Sequence, residues 1–105
     1  MKLVITVIGK DRVGIIATVS NVLAENKVNI ISINQNIMNG FFNMVLIAEM
    51  TDKNIKLQDL QKLLKEKGAQ LNVDIKAQHE DIFNAMHTFV ISNSLYIQKL
   101  SRFIL

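Results

Sequence analysis

"IGKDRVGIIATVSNVL", Ile8–Leu23, contains the joint on which the fold turns. An apolar run stops at Gly9, three charged residues follow, and Gly14 stands just before an apolar stripe. The stripe (Ile15, Ile16, Val19, Val22, Leu23) recurs at three- and four-residue steps, the mark of one helix face. The spacing predicts a helix from Val13 to about Asn26, with Asp11 capping its start and Asn26 taking a left-handed turn at its end. Two readings of the glycines stay open. Either this is a tight strand-to-helix turn, or a turn that also receives a ligand on bare backbone.

Working outward, Lys2–Gly9 is apolar on both faces, Leu3, Ile5 and Val7 against Val4, Thr6 and Ile8, which marks a strand inside a sheet. Val28–Met38 and Phe41–Met50 read as two strands joined by Asn39-Gly40, a dipeptide that tolerates the positive φ of a two-residue hairpin. Ile55–Lys67 carries Leu57, Leu60, Leu63 and Leu64 as a second helical stripe, with Asn54 before it and Gly68 as a left-handed stop. Leu71, Val73, Ile75 and Ala77 then alternate with polar residues, as in a half-exposed strand. The order β-α-β-β-α-β, with both helices on one side, predicts an α+β ferredoxin-like sandwich. Right-handed crossovers put the first and third strands in the centre of a four-stranded antiparallel sheet. Asp81 to about Thr88 predicts a short helix, and Tyr96, Ile97, Leu100, Phe103 and Ile104 suggest a helical segment within an extension at 89–105.

Composition removes several functions. The 105 residues are half hydrophobic and one fifth charged, enough for one core and too few for two. There is no cysteine, so no disulfide framework, thiol catalysis or thiolate zinc site is available, and the chain fits a reducing cytoplasm. Its net charge of +3 comes from Lys and Arg spread along the chain without a basic block, so direct nucleic-acid binding is not expected. Lys2–Gly9 lacks the aromatics of an RNA-recognition sheet. The opening apolar run is too short for a secretion leader. Val28–Ala48 has no charge but is broken by seven Asn, Ser and Gln residues and by Asn39-Gly40, so it is a hairpin and not a membrane span. His79 and His87 are eight residues apart, unlike the i, i+4 pair that grips zinc on a helix, and no metal is expected. An acylphosphatase on this fold would need a phosphate-cradling Arg in a glycine-rich first loop. Arg12 exists, but Lys10 and Asp11 crowd the loop and its glycine spacing is wrong. No enzyme and no cofactor are expected. Met38, Met44 and Met50 read as core or interface filler.

"VNIISINQNIM", Val28–Met38, is predicted to lie at a sheet edge, yet it has no lysine, proline or charge to blunt it. A second copy of the chain satisfies such an edge most simply, its sheet continued edge to edge or packed face to face. The chain's own tail is the alternative cover. At the opening joint, amides near Arg12, Val13 and Gly14 would be helix-start donors suited to a carboxylate. Arg12 could help hold the acid, Asp11 could accept from an ammonium, and Gly14 leaves the backbone bare, a combination that suits a free amino acid.

Gly9–Ile30, "GKDRVGIIATVSNVLAENKVNI", resembles the ACT domain, the regulatory module that binds amino acids in many metabolic enzymes. It is similar to the family's Asp-Arg-Pro-Gly-Leu-Leu turn, first helix and Asn-Ile opening of the second strand, with Val13 in place of the usual proline. "VDIKAQHEDIFNAMH", Val73–His87, resembles the closing signature of the small stand-alone ACT proteins. A more distant resemblance is to the glycine cleavage system transcriptional repressor. The resemblance covers residues 1–88 and implies a homodimer in which the joint of one subunit faces the second strand of the other. Asp11, Arg12, Val13, Gly14 and Ile15 would then line a ligand site from one chain, with Asn34 and Gln35 reaching it from its partner. The expected function is non-enzymatic regulation by an amino-acid-like metabolite held at the dimer interface, with a ligand-free dimerisation or protein-interaction module as the alternative.

Overall fold

Strand β1 (Lys2–Lys10) pairs on both sides, with β3 (Phe41–Met50) and with β4 (Val73–His79), as its two apolar faces require. Strand β2 (Val28–Met38) adds to the far side of β3, giving the antiparallel order β2-β3-β1-β4. Helices α1 (Ile15–Glu25) and α2 (Leu57–Leu71) complete a ferredoxin-like α+β sandwich in this computed structural model, which describes residues 1–82. Leu3, Ile5 and Val7 meet Phe42, Met44, Leu46 and Ala48 of β3, Ile75 and Ala77 of β4, and the stripes Ile15, Val19, Val22, Leu23 and Leu60, Leu64 of the helices in one core. The β2–β3 turn has Asn39 at φ 53° and Gly40 at φ 80°, the two left-handed residues that the dipeptide predicts.

Helix ends depart from expectation. Asp11 does not cap α1: Gly14, at φ 97°, precedes the first helical residue, and no side chain caps it. Asn26 stays at φ −97° and turns its Nδ2 onto the Val22 carbonyl (2.8 Å), while Lys27 takes the left-handed conformation at φ 57°. Asn54 is not the start of α2, which begins after Lys56. Its N–H instead donates to Asp52 Oδ1 (2.9 Å) in an Asx turn. Gly68 is no stop. It lies buried inside α2, where a Cβ would come within 2.6 Å of the Val73 carbonyl oxygen, so it permits close approach of helix and strand. The left-handed stop is Asn72 (φ 56°), and Leu71 closes α2 without entering β4. Residues 80–82 make a helical turn; the rest of the helix expected to Thr88, and the extension at 89–105, lie outside the described residues.

A bulge interrupts β2. Ile30 faces Ala48 and Ser32 faces Ile47, leaving Ile31 unpaired. Beyond it Ile33, Gln35 and Ile37 stand opposite Leu46, Met44 and Phe42 on the helix-covered face, and Asn34 and Asn36 stand opposite Val45 and Asn43 on the other. The two sheet edges are unlike. Strand β4 carries Asp74 and Lys76, paired at 3.6 Å, and its Ala77 carbonyl accepts from Gln61 Nε2 at 2.7 Å. Strand β2 has no charged residue.

The role of Gly68 gives a prediction of sign. Alanine for glycine within a helix ordinarily stabilises by roughly 0.5–1 kcal/mol. Here Gly68→Ala is expected to lower stability by about 1–3 kcal/mol in urea unfolding, because overpacking against a backbone atom dominates.

Candidate ligand and subunit interface

Between Lys10 and Ile15 the chain turns from strand to helix at the end of the sheet that also holds the hairpin tip. The Asp11 N–H donates to the Gly40 carbonyl at 2.8 Å, tying the joint to that tip. Gly14 accepts the first helical bond, from the Thr18 N–H at 2.9 Å. Among the described residues nothing beyond its chain neighbours lies within 4 Å of the place a Gly14 Cβ would take, so its left-handed backbone, and not crowding, calls for glycine.

Because α1 starts at Ile15, the donors that helix geometry leaves without an acceptor belong to Ile15, Ile16 and Ala17, not to Arg12 and Val13. No side chain caps this turn and no acidic residue lies in it, so the positive end of the helix is uncompensated. Asp11 and Arg12 are exposed beside it, and Val13 is 97% exposed. Ile15 is buried in the core and offers the joint only its backbone.

Asn34 and Gln35 are both exposed on β2, which β3 separates from β1. They stand on opposite faces. Gln35 shares the helix-covered face with α1, whereas Asn34 is on the far side, so a continuous sheet brings only Gln35 to the level of the joint. One chain thus groups Asp11–Ile15 and leaves the β2 residues apart. Sequence reasoning missed Ile33 (49% exposed) and Ile37 (54% exposed), isoleucines on the core-facing side of β2 that the helices leave uncovered. It also placed Ile16 in the buried stripe, though that residue is 42% exposed at the start of α1. The available signal was an isoleucine-rich edge strand with no charge.

A shallow hollow of about 320 Å³ lies at the opposite edge, between α2 and β4, lined by residues that include Gln61, Lys65, Asp74 and Lys76. Within it the Gln61 Nε2 donates to the Ala77 carbonyl, and Asp74 pairs with Lys76. Among the described residues no group of three His, Cys, Asp or Glu side chains is placed to hold a metal, and no helix is long and apolar enough to cross a membrane.

The ACT domain family model matches residues 1–78. A UPF0237 protein of Clostridium perfringens is 47% identical over 87 residues, which are 83% of this chain and 98% of that protein. Among solved structures, an ACT domain protein from Streptococcus pneumoniae superposes with a TM-score of 0.70 at 37% identity, covering 79% of this chain and 93% of its own. A protein assigned as a glycine cleavage system transcriptional repressor shares the fold at 23% identity and a TM-score of 0.65, over 75% of this chain and 47% of its own.

The geometry of the joint predicts that Gly14→Ala folds but loses about 1–2 kcal/mol, the cost of a left-handed Cβ. Denaturant midpoints of the two proteins measure it. An unchanged midpoint would mean that Gly14 does not need its positive φ.

Proposed function

This chain belongs to the ACT-domain family, and from that premise we propose that it is a non-catalytic regulatory protein whose two copies hold a small amino-acid-like metabolite where they meet. ACT domains are in general regulatory modules for small ligands. One observation carries the reading to this chain: an uncapped helix start on an exposed joint lies at the same end of the sheet as a bare, uncharged strand edge.

Two β2 edges joined antiparallel about a two-fold axis normal to the sheet would keep both helix layers on one side. Gln35, Ile33 and Ile37 of each copy would then approach the start of the other's α1. A carboxylate would accept from the amides of Ile15–Ala17, with Arg12 beside it. An ammonium would be met by Asp11 or by the Gln35 side-chain carbonyl. Asn34, on the other face, takes no part in this arrangement and would serve only a face-to-face pairing. A metabolite touching both copies stabilises one dimer geometry over others, which is regulation by population shift without chemistry.

Light scattering at micromolar concentration is expected to give a dimer, and Ile33→Lys, at a half-exposed position, is expected to give a folded monomer. A wild-type monomer, or a variant that stays dimeric, would rule out the β2 interface. Binding is tested by thermal shift against the amino acids, where a guest at a hundred times its dissociation constant adds about 2.7 kcal/mol. Gly14→Val, confirmed as folded by circular dichroism, is expected to lose the shift; retention of the full shift would move the site elsewhere.

A further inference from the structure

The hairpin tip carries a reactive pair that metabolite binding leaves unused. Among the asparagines of the chain, only Asn39 is followed by glycine; the others precede larger residues such as Ile37, Gln35 and Met44. Both residues of the pair are exposed, and among the described residues no atom beyond its chain neighbours lies within 4 Å of the place a Gly40 Cβ would occupy. The Gly40 N–H donates to no backbone carbonyl among the described residues, so no hydrogen bond there has to break before the nitrogen can react. Asn34, Asn36 and Asn43, by contrast, lie within paired strands.

We propose that Asn39 is a self-modifying site, at which deamidation releases the joint before α1 from the hairpin. The Gly40 amide nitrogen attacks Asn39 Cγ. The new C–N bond closes a five-membered imide, the Cγ–Nδ2 bond breaks, and the side-chain nitrogen leaves as ammonia with the proton from Gly40. One water then opens the ring at either carbonyl, giving aspartate or isoaspartate. Ring closure requires Asn39 to leave its left-handed conformation, so the reaction follows local opening of the tip. Within a single copy such opening is favoured, because among the described residues β2 has a strand neighbour on one side only.

Either product adds a negative charge near Asp11. Isoaspartate also routes the main chain through the former side chain and lengthens a two-residue turn by one methylene. The Gly40 carbonyl, which accepts from the Asp11 N–H at 2.8 Å, is the next group along and is displaced. This step needs no ligand and no second copy, so it stands or falls apart from the sensing role.

Purified protein is incubated at mildly alkaline pH, folded and in urea, alongside Asn39→Gly, which keeps the turn and lacks the amide. Peptide mass mapping is expected to find amide loss at Asn39 ahead of every other asparagine in the folded protein, and none at this position in the variant. Hydrogen exchange of the Asp11 amide should quicken roughly fivefold in the converted fraction, as loss of one backbone hydrogen bond implies. Conversion in urea but not in the folded protein would overturn the site. Unchanged Asp11 exchange after conversion would overturn its link to the joint.

Discussion

Val73 enters the sheet through a gap left by two missing side chains. A Cβ on Gly9 would lie 2.7 Å from its Cγ1 and 2.9 Å from its Cα, and a Cβ on Gly68 would lie 2.6 Å from its carbonyl oxygen. The last strand can therefore settle against β1 and under α2 only because both neighbours present bare backbone at that point. Docked there, β4 brings Ile75 and Ala77 onto the core and completes the far side of β1. Backbone room around Val73 thus governs how closely the fourth strand docks.

The completed sheet has one finished edge and one unfinished edge. On β4, opposite charges and a side-chain amide occupy the positions from which another strand would pair. On β2 nothing equivalent exists among the described residues, and isoleucines that belong by position to the core side are exposed. Exposed aliphatic groups beside unpaired backbone make an unfavourable surface in isolation. In the dimer proposed above that surface would be shared, and the uncapped helix start beside it would then acquire functional meaning.

Most of the architecture was legible because periodicity is a property of chemistry alone. The doubly apolar β1, the two helical stripes and the Asn-Gly turn each left one sensible arrangement. Helix ends were less legible, since glycine at the end of an apolar stripe signals either a stop or a close contact. Gly68 was decided by Val73, a residue brought near only by the fold. Asp11 looks like a cap from its position, but the left-handed Gly14 starts the helix three residues later and leaves Asp11 tied to Gly40. That a glycine sits at this turn was readable, but its left-handed φ of 97° at the start of α1 was not, nor was the facing of Asn34 and Gln35. Ile30, Ile31, Ser32 and Ile33 all suit a regular strand, and nothing in their chemistry announces that Ile31 is the extra residue.

That extra residue also bears on symmetry. A bulge bends its strand and spoils pairing on its free side, so a regular ladder with another copy would be confined to Ser32–Met38. The midpoint of that segment is Gln35. A rotation axis through it would set two identical amides face to face, with an equivalent cradle to each side assembled from parts of both chains. Occupancy would then come as two per pair, and neither polypeptide would own a complete receptor.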